Sequence, residues 1–326
     1  MTNLPPINTL LSSSLNGPVA DLRSRITTVS EEAVTGRFAD LVGALDGRVD
    51  RALLTQKAIE DIGTQRDQLN LRATRLEITQ NSLGRVQDSI GILSTNILDA
   101  VGKSDGASIR FSSQEAQFAL EDIFNALNVR HGERFLFSGD ATATPPFAGA
   151  ETLISDIQAI ASGAVDAADF EAQIDTYFRD PAGPFQTVIY SGLATVSDPD
   201  AVTGIDSALI DSISALAVVA IADPTTAPPV VGIDSAALSQ AADDLRTGLT
   251  TLTNLRADRG IVQQQLERDL IALDAEESVL TTAFNDLTAR DQFEAATELQ
   301  NLQATLEAAF LLTNRLSSLS LVNFLR

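Results

Sequence analysis

Residues 62–97 read IGTQRDQLNLRATRLEITQNSLGRVQDSIGILSTNI. Ile62, Leu69, Leu76, Leu83, Ile90 and Ile97 recur every seven residues, and Val86 and Leu93 fall three beyond Leu83 and Ile90. Seven residues are close to two α-helical turns, so these groups share one stripe, and the spacing predicts a helix about 60 Å long at ~1.5 Å per residue. A shorter heptad run, Leu15, Val19, Leu22, Ile26 and Val29, precedes it, and Ser113 to Val129 reads as a further helix. Val19 to Thr144 contains no proline, which suits long helices because an interior proline costs about 3 kcal/mol. Such a stripe has to be covered. The second long proline-free stretch, Val230 to Arg326, offers the cover: Leu245, Leu252, Leu266, Leu273, Leu280 and Leu287 keep the same seven-residue phase, broken only by Arg259. Near Asp291 the phase shifts by the size of a stutter, which marks a bend or boundary.

Charge and proline divide the chain at the same places. Residues 1–139 carry 14 basic and 17 acidic side chains, residues 140–244 carry 1 and 16, and residues 245–326 carry 7 and 11. The acidity therefore belongs to the middle, where eight of the eleven prolines also lie. A loop that leaves one flank and re-enters the other through this middle segment sets the flanks side by side and antiparallel. The expected fold is mainly α: a long antiparallel helical rod of N- and C-terminal segments, with a small mixed α+β domain inserted at the far end. Its expected divisions are an N-terminal assembly segment (1–45), the rod (46–139 and 240–290), an acidic inserted outer domain (140–239) and a C-terminal assembly helix (291–326). Inside the insert, Phe185 to Tyr190 reads as a short strand after the turn at Pro181 to Pro184, and Ile205 to Ala222 reads as helix.

Composition excludes several functions. With 44 acidic against 22 basic residues in 326, the net charge is −22, which disfavours nucleic acid and anionic membrane surfaces as partners. There is no cysteine and a single histidine, His131, which stands at a predicted helix end where the helix dipole favours it. Disulfides, thiolate metal sites and most histidine-dependent catalysis are thereby removed. The insert's aspartates lack the spacing of a calcium loop, and Phe135 and Phe137 read as packing groups. No catalytic residue, cofactor or metal site is expected. The longest uninterrupted apolar run, Ala215 to Ala222, is too short to span a bilayer, and the N-terminus does not read as a cleavable secretory signal.

Both chain ends are poor in charge. Residues 1–20 have none, and Ala308 to Arg326 have only Arg315 and Arg326. The C-terminal stretch carries Phe310, Leu311, Leu312, Leu316, Leu319, Leu321, Val322, Phe324 and Leu325, more apolar groups than one stripe accommodates. One covering helix leaves some of these faces wet, so the ends are expected to order fully only when neighbouring subunits cover them. The expected assembly surface is Leu15, Val19, Leu22 and Ile26 with Leu299, Leu302, Leu306, Phe310, Leu316, Leu319, Leu321, Phe324 and Leu325.

The residues resemble a family. Asp291, Phe293, Ala295, Ala296, Glu298, Leu299, Gln300, Gln303, Leu306, Leu319, Ser320, Leu321, Phe324 and Leu325 resemble the terminal helix of the flagellin family, which includes filament subunits and the hook–filament junction protein, hook-associated protein 3. Arg256, Arg259, Gly260 and Leu266 are similar to the opening of that family's C-terminal segment, and Thr35-Gly36-Arg37 to its Thr-Gly-Lys/Arg turn. Arg134 to Gly139 with Pro146-Phe147 resembles the exit into the outer domain, and Tyr190-Ser191-Gly192 a Tyr-x-Gly segment of the junction protein's insert. The Asp-Asp-Pro that follows the turn in the family is absent here.

The resemblance implies a non-enzymatic flagellar subunit joining hook to filament, exported unfolded by the type III apparatus without cleavage. It implies a homo-oligomer in contact with other hook-associated proteins and flagellin, served before export by a flagellar chaperone. A filament subunit is the alternative within the family. A cytoplasmic coiled-coil scaffold or adaptor is the alternative from another class.

Overall fold

The computed structural model describes residues 7–45, 49–103, 105–223 and 235–324, with side chains between Gly17 and Arg315. In chain order these form α1 (Ile7–Thr35), α2 (Leu41–Ala44), α3 (Val49–Lys103), α4 (Gly106–Leu127), β1 (Arg130–His131), β2 (Arg134–Phe135), α5 (Ala150–Gly163), α6 (Ala167–Arg179), a π-helical turn (Phe185–Ile189), α7 (Ser207–Ala220), α8 (Ser235–Thr288) and α9 (Gln292–Phe324). The chain is mainly α. The strands β1 and β2 form one antiparallel hairpin that sets His131 opposite Arg134. The phase shift near Asp291 is a helix break, since α8 stops at Thr288 and α9 starts at Gln292.

Contacts divide the chain into a terminal unit, Met1–Arg66 with Ile271–Arg326, and a central unit, Asp67–Leu270. In the central unit the heptad stripe of α3 is the core: Leu76, Leu83, Val86, Ile90, Leu93 and Ile97 are all buried. From Leu83 onward they join Leu120, Ile123 and Leu127 of α4, Leu209, Ile213 and Leu216 of α7, and Leu245 and Leu252 of α8 in one apolar cluster. Polar residues flanking the stripe fix the register of α3 against α8. Gln80 donates to the Arg256 carbonyl at 2.6 Å, Gln87 donates to Thr253 at 3.0 Å, and the Arg256 guanidinium bonds back to both glutamines. Residue numbers rise along α3 as they fall along α8, so the two run antiparallel.

Local capping explains where the shorter helices begin. Asp105 accepts from the Ala107 N–H and the Ser108 hydroxyl ahead of α4, Asp166 accepts from the Asp169 N–H ahead of α6, and Asp206 accepts from the Ala208 N–H ahead of α7. Each satisfies an amide that the first helical turn leaves without an acceptor. At the end of α4, the Asn128 amide both donates to and accepts from the backbone of Phe147, which stacks on Phe124 with ring centroids 4.5 Å apart. Ser113 and Gln117 of α4 both donate to the Ala220 carbonyl at the end of α7.

The segment from Phe185 to Tyr190 is not the strand its composition suggests. The Tyr190 N–H donates to the Phe185 carbonyl at 2.8 Å, closing a π-helical turn, and Gly183 accepts from the backbone of Gln186 and Thr187. Phe185, Ile189 and Tyr190 are buried, and Phe185 and Tyr190 belong to a row of rings with Phe147 and Phe178. Burial accounts for these bulky residues, and extended backbone does not. The β content of this segment is a single bridge between Phe147 and Tyr190.

The exit from β2 is closely packed. Gly139 has φ +61°, and its Cα faces the carbonyls of Leu193 and Thr195. The loop carrying those carbonyls is held by the Leu193 N–H on the Ser138 carbonyl at 2.9 Å and the Asp140 N–H on the Thr195 carbonyl at 3.0 Å.

The chain has only two tyrosines, and both are buried here. Tyr177 donates to Asp156 at 2.7 Å and Tyr190 to the Phe137 carbonyl at 2.9 Å. Burial, and for Tyr177 also the neighbouring carboxylate, pushes both phenols above their ordinary range, Tyr190 up to about 12. A folded-state pKa above the unfolded value of about 10 contributes stability that is whole below pH ~10 and lost as pH rises toward ~12. Tyrosinate absorbance in an alkaline titration should therefore appear together with the loss of helical circular dichroism. Ionisation of either phenol near pH 10 in the folded protein would contradict the burial described.

Candidate functional site

The terminal unit brings the two ends of the chain together. On α1, Val19, Leu22 and Ile26 are half-buried and Val29 is buried; on α9, Ala295 and Leu302 are buried and Leu299 and Leu306 half-buried. The two helices pack along these rows. Their register is antiparallel, because Gln292 donates to the Val34 carbonyl while Arg25 pairs with Glu298 at 3.5 Å. Elsewhere in the unit, Arg66 of α3 pairs with Asp274 and Glu277 of α8.

Two turns clasp one another where α1 ends and α9 begins. The Gly36 N–H closes α1 on the Glu32 carbonyl at 2.8 Å, and Gly36 then takes φ +67°, a conformation favouring glycine. The chain next pairs with the α8–α9 turn. Arg290 N–H donates to the Gly36 carbonyl at 2.9 Å, and Phe38 N–H donates to the Thr288 carbonyl at 3.0 Å, around a bridge between Arg37 and Ala289. Asp291 accepts from the Phe293 and Glu294 N–H groups and so starts α9. The Thr35-Gly36-Arg37 and Asp291 motifs, 250 positions apart and more, thus belong to one structure.

A buried ionic network fills the clasp. Glu32 is buried, accepts from the Ala39 N–H at 3.0 Å and receives the Arg290 guanidinium. The other end of that guanidinium bonds Glu298, and its plane lies over the Phe38 ring, 5.4 Å from the centroid. One arginine therefore ties the end of α1, the loop after it and the first turns of α9. Nothing in local sequence singles out Glu32 or Arg290 for this, since their partners are 258 positions apart.

Around the clasp and along α9, large apolar side chains face outward. Val34 is 79% and Phe293 81% exposed, and Leu311 and Leu312 are exposed as well. Phe310 lies beneath the Arg23 guanidinium, 5.4 Å from the ring centroid, and keeps part of its surface open. The residues expected from the sequence to form the assembly surface thus separate. Val19, Leu22, Ile26, Leu299, Leu302 and Leu306 lie between the two helices, with Leu302 buried there, while Phe310 is at the margin. Leu15, Leu316, Leu319, Leu321, Phe324 and Leu325 fall outside the described side chains. Val34 and Phe293 are the most outward apolar groups near the clasp, and the signal for them was an apolar residue out of phase with its helix's own stripe.

Comparison with known proteins bears on the same region. Residues 242–325 match the family described as bacterial flagellin C-terminal helical region. The C-terminal quarter of this chain is flagellin-like. The matching segment covers most of α8 and all of α9, including the Arg290 and Asp291 side of the clasp. The crystal structure of FlgL from Bacillus cereus is similar in fold, with TM-score 0.50 at 14% identity, covering 71% of this chain and 98% of that one. No curated protein sequence matches the chain. Among the described residues, no helix is long and apolar enough to cross a membrane.

Proposed function

We propose that this protein is a non-enzymatic structural subunit of the bacterial flagellum, placed between hook and filament, that assembles through its paired terminal helices. The observation carrying this reading is the clasp: the end of α1 is locked to the start of α9, whose side of the clasp lies in a flagellin-like C-terminal region, while Val34, Phe293, Leu311 and Leu312 stay exposed. Apolar groups of that size stabilise by about 1.5–3 kcal/mol each when buried, so a ring of copies covering them gains what the single chain cannot. The junction position is supported by the fold likeness to FlgL and by the Tyr190-Ser191-Gly192 segment, whose tyrosine is buried against Phe147. Export by the type III apparatus, an extracellular flagellar location and contacts with flagellin, other hook-associated proteins and an export chaperone complete the proposal.

Removal of the last 20 residues tests it. The truncated chain should keep the cooperative melt of its central unit, whose residues end at Leu270, and should fail to join filaments to hooks in a strain lacking the full-length protein. Filaments attached normally in that strain would refute the role assigned to the ends. The amount in sheared flagella separates the filament alternative, because a filament subunit is the bulk component and a junction subunit a trace one.

A further inference from the structure

Away from the chain ends, four arginines converge on one loop of the central unit. Arg72 and Arg75 of α3, Arg134 of β2 and Arg259 of α8 surround Asp198, Pro199 and Asp200. Two of them are hydrogen-bonded to the loop, although Arg259 Nε is itself buried without an acceptor. Arg72 donates Nε and Nη2 to one oxygen of Asp200 at 2.9 and 2.7 Å, and Arg259 Nη1 donates to the Pro199 carbonyl at 3.1 Å.

The other two are not. Arg75 Nη1 and Arg134 Nη2 stand 3.9 and 3.8 Å from the same Asp198 oxygen, beyond hydrogen-bond distance, and neither guanidinium donates a hydrogen bond among the described residues. Their side chains are only 27% and 30% exposed, and Arg75 Nε is fully buried with no acceptor. A buried donor left this way destabilises the fold, and two cations sharing one carboxylate also repel each other. Asp140, held below the usual carboxylate range mainly by its bonds to Ser197, also faces Arg134. Counting it, four guanidiniums meet three carboxylates, a local positive excess in a chain of net charge −22.

Between Arg72, Arg75, Arg134, Leu136, Asp198 and the Arg72-paired Asp200 lies a crevice of about 20 Å³, room for one atom of oxygen size. We propose that this crevice binds a small oxyanion of the phosphate or sulfate class. One oxygen enters between Arg75 and Arg134 and accepts the N–H groups that Asp198 does not reach. The remaining charge stays at the mouth. A water molecule would fill the space and accept a hydrogen bond but would leave the excess charge uncompensated, which favours the anion.

The full-length protein, titrated with inorganic phosphate against sodium chloride at matched ionic strength near neutral pH, provides the test. Calorimetry should show saturable binding of one phosphate, and the melting temperature should rise with phosphate as mass action requires. Arg75→Gln and Arg134→Gln should each weaken binding about tenfold. Asp198→Asn keeps the acceptor for the Asp200 N–H but removes the charge competing for both arginines, so it should tighten binding about three- to tenfold. Arginines that merely brace the loop would give the opposite for that variant, lost stability and no gain in phosphate response. The proposal is overturned if phosphate has no saturable effect beyond chloride, or if the arginine variants respond as the unaltered protein does.

Discussion

Gly139→Ala is expected to cost the central unit about 4 kcal/mol, at the upper end for a single methyl group. Two independent effects combine. The backbone at Gly139 has φ +61°, which costs a side-chain-bearing residue roughly 1–2 kcal/mol. The added methyl also has nowhere to go: it would overlap the Leu193 carbonyl and lie 2.8 Å from the Thr195 carbonyl. Those oxygens cannot retreat cheaply, since their loop is fixed to Ser138 and Asp140 by backbone hydrogen bonds and the Tyr190 hydroxyl reaches the Leu193 carbonyl as well. Gly132 supplies the control, because it has the same φ of +61° with nothing within 4 Å of the added atom. Gly132→Ala should therefore show the conformational cost alone, about 1–2 kcal/mol. Urea titrations of the two variants measure the difference, and equal losses would disprove the packing account of Gly139.

Arg290→Ala should loosen the terminal unit by about 3 kcal/mol and leave the central unit unchanged. Removing this guanidinium strands the Glu32 carboxylate, 5% exposed, with the Ala39 N–H as its remaining donor, and releases Glu298 and the Phe38 ring together. Most of the loss is the penalty of a buried charge deprived of its counterion, so it exceeds anything expected of the exposed pair Lys57–Asp61. Arg290→Lys should fall between, because an ammonium is a point charge that cannot bridge two carboxylates while lying flat on a ring. Amide hydrogen exchange locates the effect. Protection near the end of α1 and the start of α9 should drop about a hundredfold, while amides of α4 and α7 keep theirs. A uniform change over both units would show that the clasp is not a local lock. If the proposed function holds, the same variant should also be impaired in joining filament to hook.

Much of the helical scaffold was legible because its cause is local. The seven-residue rows of α3 and α8 fall on buried positions through Leu83, Ile90, Ile97, Leu245 and Leu252, since periodicity is a property of contiguous residues. The break near Asp291 was visible for the same reason. Phe185 to Ile189 misled because aromatic and β-branched residues mark both strands and any tightly buried segment, and the carbonyl of Gly183 that captures two of its amides has no signature in composition. The clasp was partly legible: Thr35-Gly36-Arg37 and Asp291 stood out as motifs, but that they touch depends on backbone pairing across the length of the chain. Glu32 and Arg290 were invisible, being ordinary helix and turn residues until the fold buries them. The same holds for the four arginines, drawn from α3, β2 and α8.

The pairing of α1 with α9 also dictates an order of events. Arg25 and Glu298 lie 273 positions apart, among the most non-local contacts the chain can make, and closing so large a loop in an unfolded chain carries a heavy entropic penalty. The central unit relieves most of it, because once α3 meets α8 at Gln80 and Arg256 the intervening residues no longer contribute to the loop. The middle of this polypeptide is therefore expected to acquire structure before α1 and α9 meet, which leaves the pairing of the two terminal helices as the late step.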